Sequence, residues 1–257
     1  MRILSAPGKT SRQAQPDRDR AAAPSSAGAP LLRANALSAG YGGVTVVRDL
    51  NLTVGAGELV ALIGANGAGK TTTLLTLSGD LPPISGSVTF LGADAAESLH
   101  RRARRGLSFV TEERSVFMKL TVADNFRLAD CPVEPALQLF PELGKLLKTR
   151  AGLLSGGEQQ MVTLARAIGR SPQVLLVDEL SLGLAPMVVE RLLRALREVA
   201  TMRGIGVLMV EQHIQQALEV SDRAYVMRRG TVQINGPSTD LRARLAEIEA
   251  SYLSGQE

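Results

Sequence analysis

Leu59-Val60-Ala61-Leu62-Ile63-Gly64-Ala65-Asn66-Gly67-Ala68-Gly69-Lys70-Thr71-Thr72-Thr73 decides the fold, because an apolar run ends in Gly-x-x-x-x-Gly-Lys-Thr and then turns helical. That order reads as a strand, an anion-binding loop and a helix. Gly64, Gly67 and Gly69 have no Cβ, so successive N–H groups converge on a phosphate at the positive end of the helix. Lys70 then reaches the β- and γ-phosphates and Thr71 ligates Mg²⁺. Asn66 and Thr72, within the same loop and first helical turn, join the expected nucleotide-binding set.

Three later stretches bring chemistry to the same end of a parallel sheet. Val174–Asp178 is an apolar strand followed by Glu179, which places Asp178 beside the metal through a water and aims Glu179 at the γ-phosphate to polarise an attacking water. Val207–Val210 is another strand, delivering Glu211, Gln212 and His213 to that edge. A third strand, Leu107–Val110, leads into Glu112. Elsewhere Ser155-Gly156-Gly157-Glu158 opens a strong helix to Ile168, with Ser155 suited to cap it, and forms a second anion-binding end.

Between these lie simpler signals. Leu31–Leu37, Thr45–Val47 and Leu50–Val54 are short alternating runs and suggest an antiparallel β layer ahead of the central sheet. Tyr41 sits just before the second run, where its ring either stacks on a base or covers the sheet edge. Residues from about 112 to 170 lack strand patterning and read as a helical insertion, with Thr121 and Asp124 capping one helix and Pro135–Lys148 forming another that Pro141 and Gly144 break. Arg101, Arg102, Arg104 and Arg105 read as a solvated charge run, with lipid headgroups or a partner as the alternative. Pro186–Met202 has helical apolar spacing, Arg228-Arg229-Gly230 marks a hairpin, and a helix over Thr239–Leu253 closes the chain.

Composition narrows the class. The chain has 257 residues, 45% hydrophobic and 21% charged, enough for a sizeable core. Of its net charge of +4, residues 1–30 supply three charges through five basic side chains against Asp17 and Asp19, so the body is nearly neutral and no nucleic-acid partner is expected. Those residues hold Pro7, Pro16, Pro24 and Pro30 without periodicity and read as a disordered leader; the domain is expected from 31 to 257. Gly8-Lys9-Thr10 resembles the end of a phosphate loop but has no strand before it. Cys131 is the sole cysteine, which suits a reducing compartment, and no run reaches the ~18 apolar residues of a membrane span.

The phosphate loop, Leu154-Ser155-Gly156-Gly157-Glu158-Gln159-Gln160 and the Asp178-Glu179 strand end, in this order, resemble the ATP-binding cassette (ABC) ATPases. The Glu112 segment, Ser181-Leu182-Gly183-Leu184-Ala185-Pro186 and Val210-Glu211-Gln212-His213 are similar to the Liv-type ATPases of branched-chain amino-acid importers and related amide or urea importers. That resemblance implies an α/β P-loop NTPase core with a mainly parallel sheet, an N-terminal antiparallel layer and a helical subdomain carrying the signature. It also implies a head-to-tail dimer, of like or unlike subunits, with ATP and Mg²⁺ held between the phosphate loop of one subunit and the signature helix of the other. Tyr41 then becomes the adenine-stacking position, Ser155, Gly157 and Glu158 lie near the partner's nucleotide, and Glu112 approaches metal or water.

The family pattern expects a histidine directly after Glu211, where this chain has Gln212. Adjacent strand residues face opposite ways, which favours Gln212 over His213 as the γ-phosphate sensor. The implied function is an ATP-hydrolysing subunit on the cytoplasmic face of a membrane, bound to permease subunits near Phe117-Met118-Lys119-Leu120 and served indirectly by a solute-binding protein. The alternative is a soluble cassette ATPase acting on ribosomes or DNA; the absence of heptads over Leu74–Leu153 and the single cassette argue against it.

Overall fold

Every residue of β3 (Leu59–Gly64) is buried, and period-two alternation divides its side chains between two cores. Leu59, Ala61 and Ile63 join one, Val60 and Leu62 the other. The computed structural model describes residues 28–94, 97–113 and 115–248. The same division runs through β7 (Val174–Asp178) and β8 (Gly206–Glu211), also buried throughout. Strands apolar on both faces belong in a parallel sheet covered on both sides. With β6 (Leu107–Val110), β9 (Arg223–Arg228) and β10 (Thr231–Pro237) they form a six-stranded sheet of order β10-β9-β3-β8-β7-β6, parallel except for the β9–β10 hairpin.

A second, antiparallel sheet has the order β2-β1-β4-β5, from β1 (Leu32–Tyr41), β2 (Val44–Val54), β4 (Ser85–Phe90) and the two-residue β5 (Ala93–Asp94). The expected short runs Thr45–Val47 and Leu50–Val54 are one strand, irregular near Asp49, whose φ is 47°. Leu74 and Leu77 of α1 (Lys70–Ser78) pack in the core between the two sheets with Phe90, Leu62 and Leu208. The hairpin turn at Arg229 and Gly230 has positive φ at both central positions, the backbone twist that joins tight strands. Gly230 also braces the phosphate loop: its N–H donates to Ala68 O at 2.9 Å and its carbonyl accepts from Arg48 N–H at 2.8 Å.

The opposite core holds most of the remaining helices. Residues 122–169 carry α3 (Val122–Leu128), α4 (Val133–Leu139), 3-10 turns over Pro141–Leu146 and Ala151–Leu153, and α5 (Gly156–Gly169), joined by short loops. Thr121 caps α3 by accepting from Asp124 N–H at 3.1 Å. Then come α6 (Pro186–Arg203), α7 (Ile214–Val220) and α8 (Ser238–Ala243).

Two expectations are corrected. The closing helix is interrupted at Arg244, whose N–H turns back to Leu241 O; its expected end and the leader, with Gly8-Lys9-Thr10, lie outside the described residues. The arginine run is not a solvated face as a whole. Those residues fall on and just after α2 (Leu99–Arg104), where Arg102 is buried and donates to Thr76 O and Leu77 O at the carboxyl end of α1. Arg105 pairs with Glu97 at 2.7 Å. A helix C-terminus exposes carbonyl acceptors and negative potential, which is what a buried guanidinium requires.

Candidate functional site

Most of the expected residues meet because β3, β8 and β7 lie side by side and end together, Ile63 opposite Glu211 and Val210 opposite Asp178. Lys70 opens α1 and folds back over the loop. Its ammonium donates to Gly64 O at 2.7 Å and Ala65 O at 3.2 Å and pairs with Glu179 Oε1 at 3.3 Å. Glu179 Oε2 accepts from Gln212 Nε2 at 2.6 Å, so the carboxylate is held between a cation and an amide. Glu179 has a φ of 44°, a left-handed conformation that costs about 1–3 kcal/mol for a residue with a side chain. Its N–H donates to Val210 O at 3.1 Å, which ties the strained residue to β8.

Asp178 is 2% exposed. Burial pushes its carboxyl up to about 6; a hydrogen bond from Thr71 pulls it back, Glu179 and Glu112 raise it, and Lys70 lowers it. Its Oδ1 has no hydrogen-bond partner among the described residues. A buried, unpaired carboxylate oxygen beside the Thr71 hydroxyl and the Glu112 charge is an all-oxygen donor set suited to Mg²⁺. Among the described residues no group of three or more His, Cys, Asp or Glu side chains is placed to hold a metal, so phosphate oxygens would complete the shell.

These groups surround a cavity of about 410 Å³. Asn66, Gly67, Gly69, Lys70, Thr71, Thr72, Glu112, Glu179 and Gln212 line it, and Asp178 lies outside the lining. Val46 of β2 and Leu182 also line it. Leu182 belongs to the Ser181–Pro186 segment that carries the resemblance, whereas Val46 has no signal in the sequence, since it arrives only through the packing of the antiparallel sheet on the loop. A second cleft of about 350 Å³ shares Glu112, Glu179 and Leu182 and continues to Met118, Gln159 and Gln160.

Other expected residues lie outside the lining. Tyr41 is 48% exposed at the β1–β2 hairpin. His213 is exposed and immediately precedes α7, whereas Gln212, the first residue after β8, lines the cavity. Ser155 and Glu158 fold onto each other at the start of α5: Ser155 Oγ accepts from Glu158 N–H at 3.3 Å, and Glu158 Oε2 accepts from Ser155 N–H and Oγ, each at 2.8 Å. This reciprocal cap pre-organises the helix end. Gly157 allows α6 to approach; a Cβ there would lie 2.7 Å from Val188 Cγ1. Phe117 and Met118 are about half exposed, in a loop that buried Asn125 braces by accepting from Phe117 N–H at 2.9 Å and donating to its carbonyl at 3.2 Å.

A family model described as ABC transporter matches residues 47–181. The chain is 35% identical over 235 residues to the high-affinity branched-chain amino acid transport ATP-binding protein BraG of Pseudomonas aeruginosa, covering 88% of this chain and all of that protein. It is 35% identical over 225 residues to the lipopolysaccharide export system ATP-binding protein LptB of Escherichia coli, covering 82% and 92%. A solved structure described as the ATP binding subunit of an ABC transporter superposes with a TM-score of 0.75 at 28% identity, covering 87% of this chain and 99% of that one.

Proposed function

The chain belongs to the ABC transporter family of ATP- and Mg²⁺-binding, ATP-hydrolysing subunits, and on that premise we propose that it energises uptake of branched-chain amino acids, or related amides or urea, through membrane permease partners. The match that spans all of BraG and 88% of this chain carries the choice of solute class. The site geometry supports the roles: the loop and Lys70 bind the phosphates, Glu179 orients and deprotonates the attacking water, and Gln212 reports the γ-phosphate to Glu179. Mg²⁺ between Thr71, Asp178 and the phosphates would neutralise charge building on the transferred group. Glu112 and Tyr41 would contact metal-bound water and adenine.

Ser155, Gly157 and Glu158 of this chain lie outside the cavity lining, which supports a second subunit, identical or not, whose Ser155, Gly157 and Glu158 complete it. Closure around ATP would switch the permease and hydrolysis would reset it. The exposed Phe117 and Met118 and the cleft running from Glu112 to Met118 support docking of the permease there, on the cytoplasmic face of the membrane. Among the described residues no helix is long and apolar enough to cross a membrane, so the permease would supply the attachment. A solute-binding protein would act through the permease and not touch this chain.

The likeness to LptB favours a second reading, lipopolysaccharide export. Deleting the gene and measuring uptake of radiolabelled leucine, isoleucine, valine and urea separates the two. Loss of one of these uptakes, restored by wild type and not by Lys70→Ala, is the expected result. Intact uptake with lipopolysaccharide retained at the inner membrane would overturn the import reading.

A further inference from the structure

Glu211 is the last residue of β8 and 1% exposed, yet it is a carboxylic acid outside the cavity lining. Its Oε2 accepts from the Ser181 hydroxyl at 2.7 Å, the backbone N–H groups of Ser181 and Gln212 also bond the carboxyl, and its Oε1 has no partner among the described residues. Burying an acid that uses only one of its oxygens is unfavourable, so the position calls for a reason beyond packing.

The two residues that bond there are each adjacent, or nearly so, to a residue of the reacting pair. Ser181 follows Glu179 by two positions, and Glu211 precedes Gln212. Two side-chain links therefore join the ends of the same two strands: Glu179 to Gln212 at 2.6 Å in the cavity, and Ser181 to Glu211 at 2.7 Å behind it. Glu179 holds a φ of 44°, and such a conformation persists only where several contacts constrain it together. One constraint is its N–H bond to Val210 O; the next along the chain is Ser181 on Glu211. Leu182, which lines the cavity, follows directly, and Leu184 N–H closes the turn onto Ser181 O at 3.2 Å.

We infer that Glu211 is a positioning residue for ATP hydrolysis: through Ser181 it fixes the strained strand end that aims Glu179 and keeps Gln212 in reach of it. It touches neither nucleotide nor water. This rests on the roles proposed above for Glu179 and Gln212. Loss of the link lets Glu179 relax toward ordinary backbone angles and moves its carboxylate, and a displacement of about 1 Å is enough to lower turnover by up to a hundredfold.

The test is steady-state ATPase kinetics of the full chain, with binding of a fluorescent ATP analogue measured in parallel. Glu211→Ala and Ser181→Ala should each lower kcat about ten- to hundredfold while KM and analogue affinity move less than about twofold. Glu211→Gln keeps an oxygen that accepts from Ser181 and should recover most of the loss. The double alanine variant should be no worse than Glu211→Ala alone, because that substitution already removes the acceptor of the Ser181 hydroxyl. Wild-type kcat in Ser181→Ala, multiplying losses in the double variant, or a loss carried by KM would overturn the inference. If Glu211→Ala fails to fold, Ser181→Ala and Glu211→Gln still decide it. Glu179→Gln separates the two layers: if it is inactive while both alanine variants turn over normally, only the role of Glu211 falls. If it hydrolyses ATP at the wild-type rate, the assignment of Glu179 falls and the inference with it.

Discussion

Glu58 and Arg223 form a buried ion pair at the amino-terminal edge of the parallel sheet, and replacing Glu58 by alanine should unfold the protein at lower temperature without touching nucleotide binding. Arg223 Nε meets Glu58 Oε1 at 2.5 Å and its Nη2 meets Oε2 at 3.3 Å, with the two residues 7% and 9% exposed. Burial alone lowers the Arg223 pKa; the Glu58 hydrogen bonds and charge, with Tyr225, more than reverse this and keep the guanidinium charged. Removing one partner of a buried pair costs about 3–5 kcal/mol, because the other charge stays buried. Here Arg223 would retain Thr53 O at 2.9 Å, Thr53 Oγ1 at 3.1 Å and Tyr225 OH at 3.2 Å, which argues for the lower end. Gly55 N–H would at the same time lose its 2.7 Å bond to Glu58 Oε2. At about 2–4 °C per kcal/mol for a domain of this size, a loss near 3 kcal/mol lowers Tm by about 6–12 °C. Glu58 stands six residues before Gly64, or about 20 Å along an extended strand, so ATP affinity should hold. Calorimetry and nucleotide titration of Glu58→Ala, with Glu58→Gln expected in between, check both halves. A Tm within about 2 °C of wild type would refute the reasoning, and weakened ATP binding at unchanged Tm would show that the network serves the site instead.

Lys70→Ala should abolish measurable ATPase activity, whereas Glu179→Gln should bind ATP, hydrolyse it about 10²–10⁴ times more slowly and accumulate a closed dimer visible by size-exclusion chromatography with ATP. Gln212→Ala should lower kcat more than His213→Ala, since only Gln212 bonds Glu179; the reverse order in an ATPase assay would reassign the sensor. Gly230→Ala would place a Cβ 1.9 Å from Val46 O at a φ of 83°, so its thermal midpoint should fall and ATP should bind more weakly as the brace on Ala68 shifts. Arg102→Met should cost about 2 kcal/mol in a denaturant titration, because it removes the charged donor to Thr76 O and Leu77 O.

What could be read along the chain is whatever depends on neighbours in sequence. The glycine spacing before Lys70, the strand ends at Asp178 and Glu211, the Ser155 cap and the Thr121 cap each express a local rule of backbone geometry or period, and the structure keeps them all. Gln212 lines the cavity and His213 does not, but both lie just past the end of β8, where strand alternation no longer governs them. Spatial neighbours were another matter. Arg102 looked like one more charge in a basic run until α1 presented its terminal carbonyls to it. Val46 entered the cavity wall through sheet packing, and Glu211 found Ser181 across two strand ends 30 residues apart. Periodicity says which way a side chain faces, because the backbone repeat is short-range. Which group it meets depends on strand order, and that is settled only when the two cores close around β3, β7 and β8.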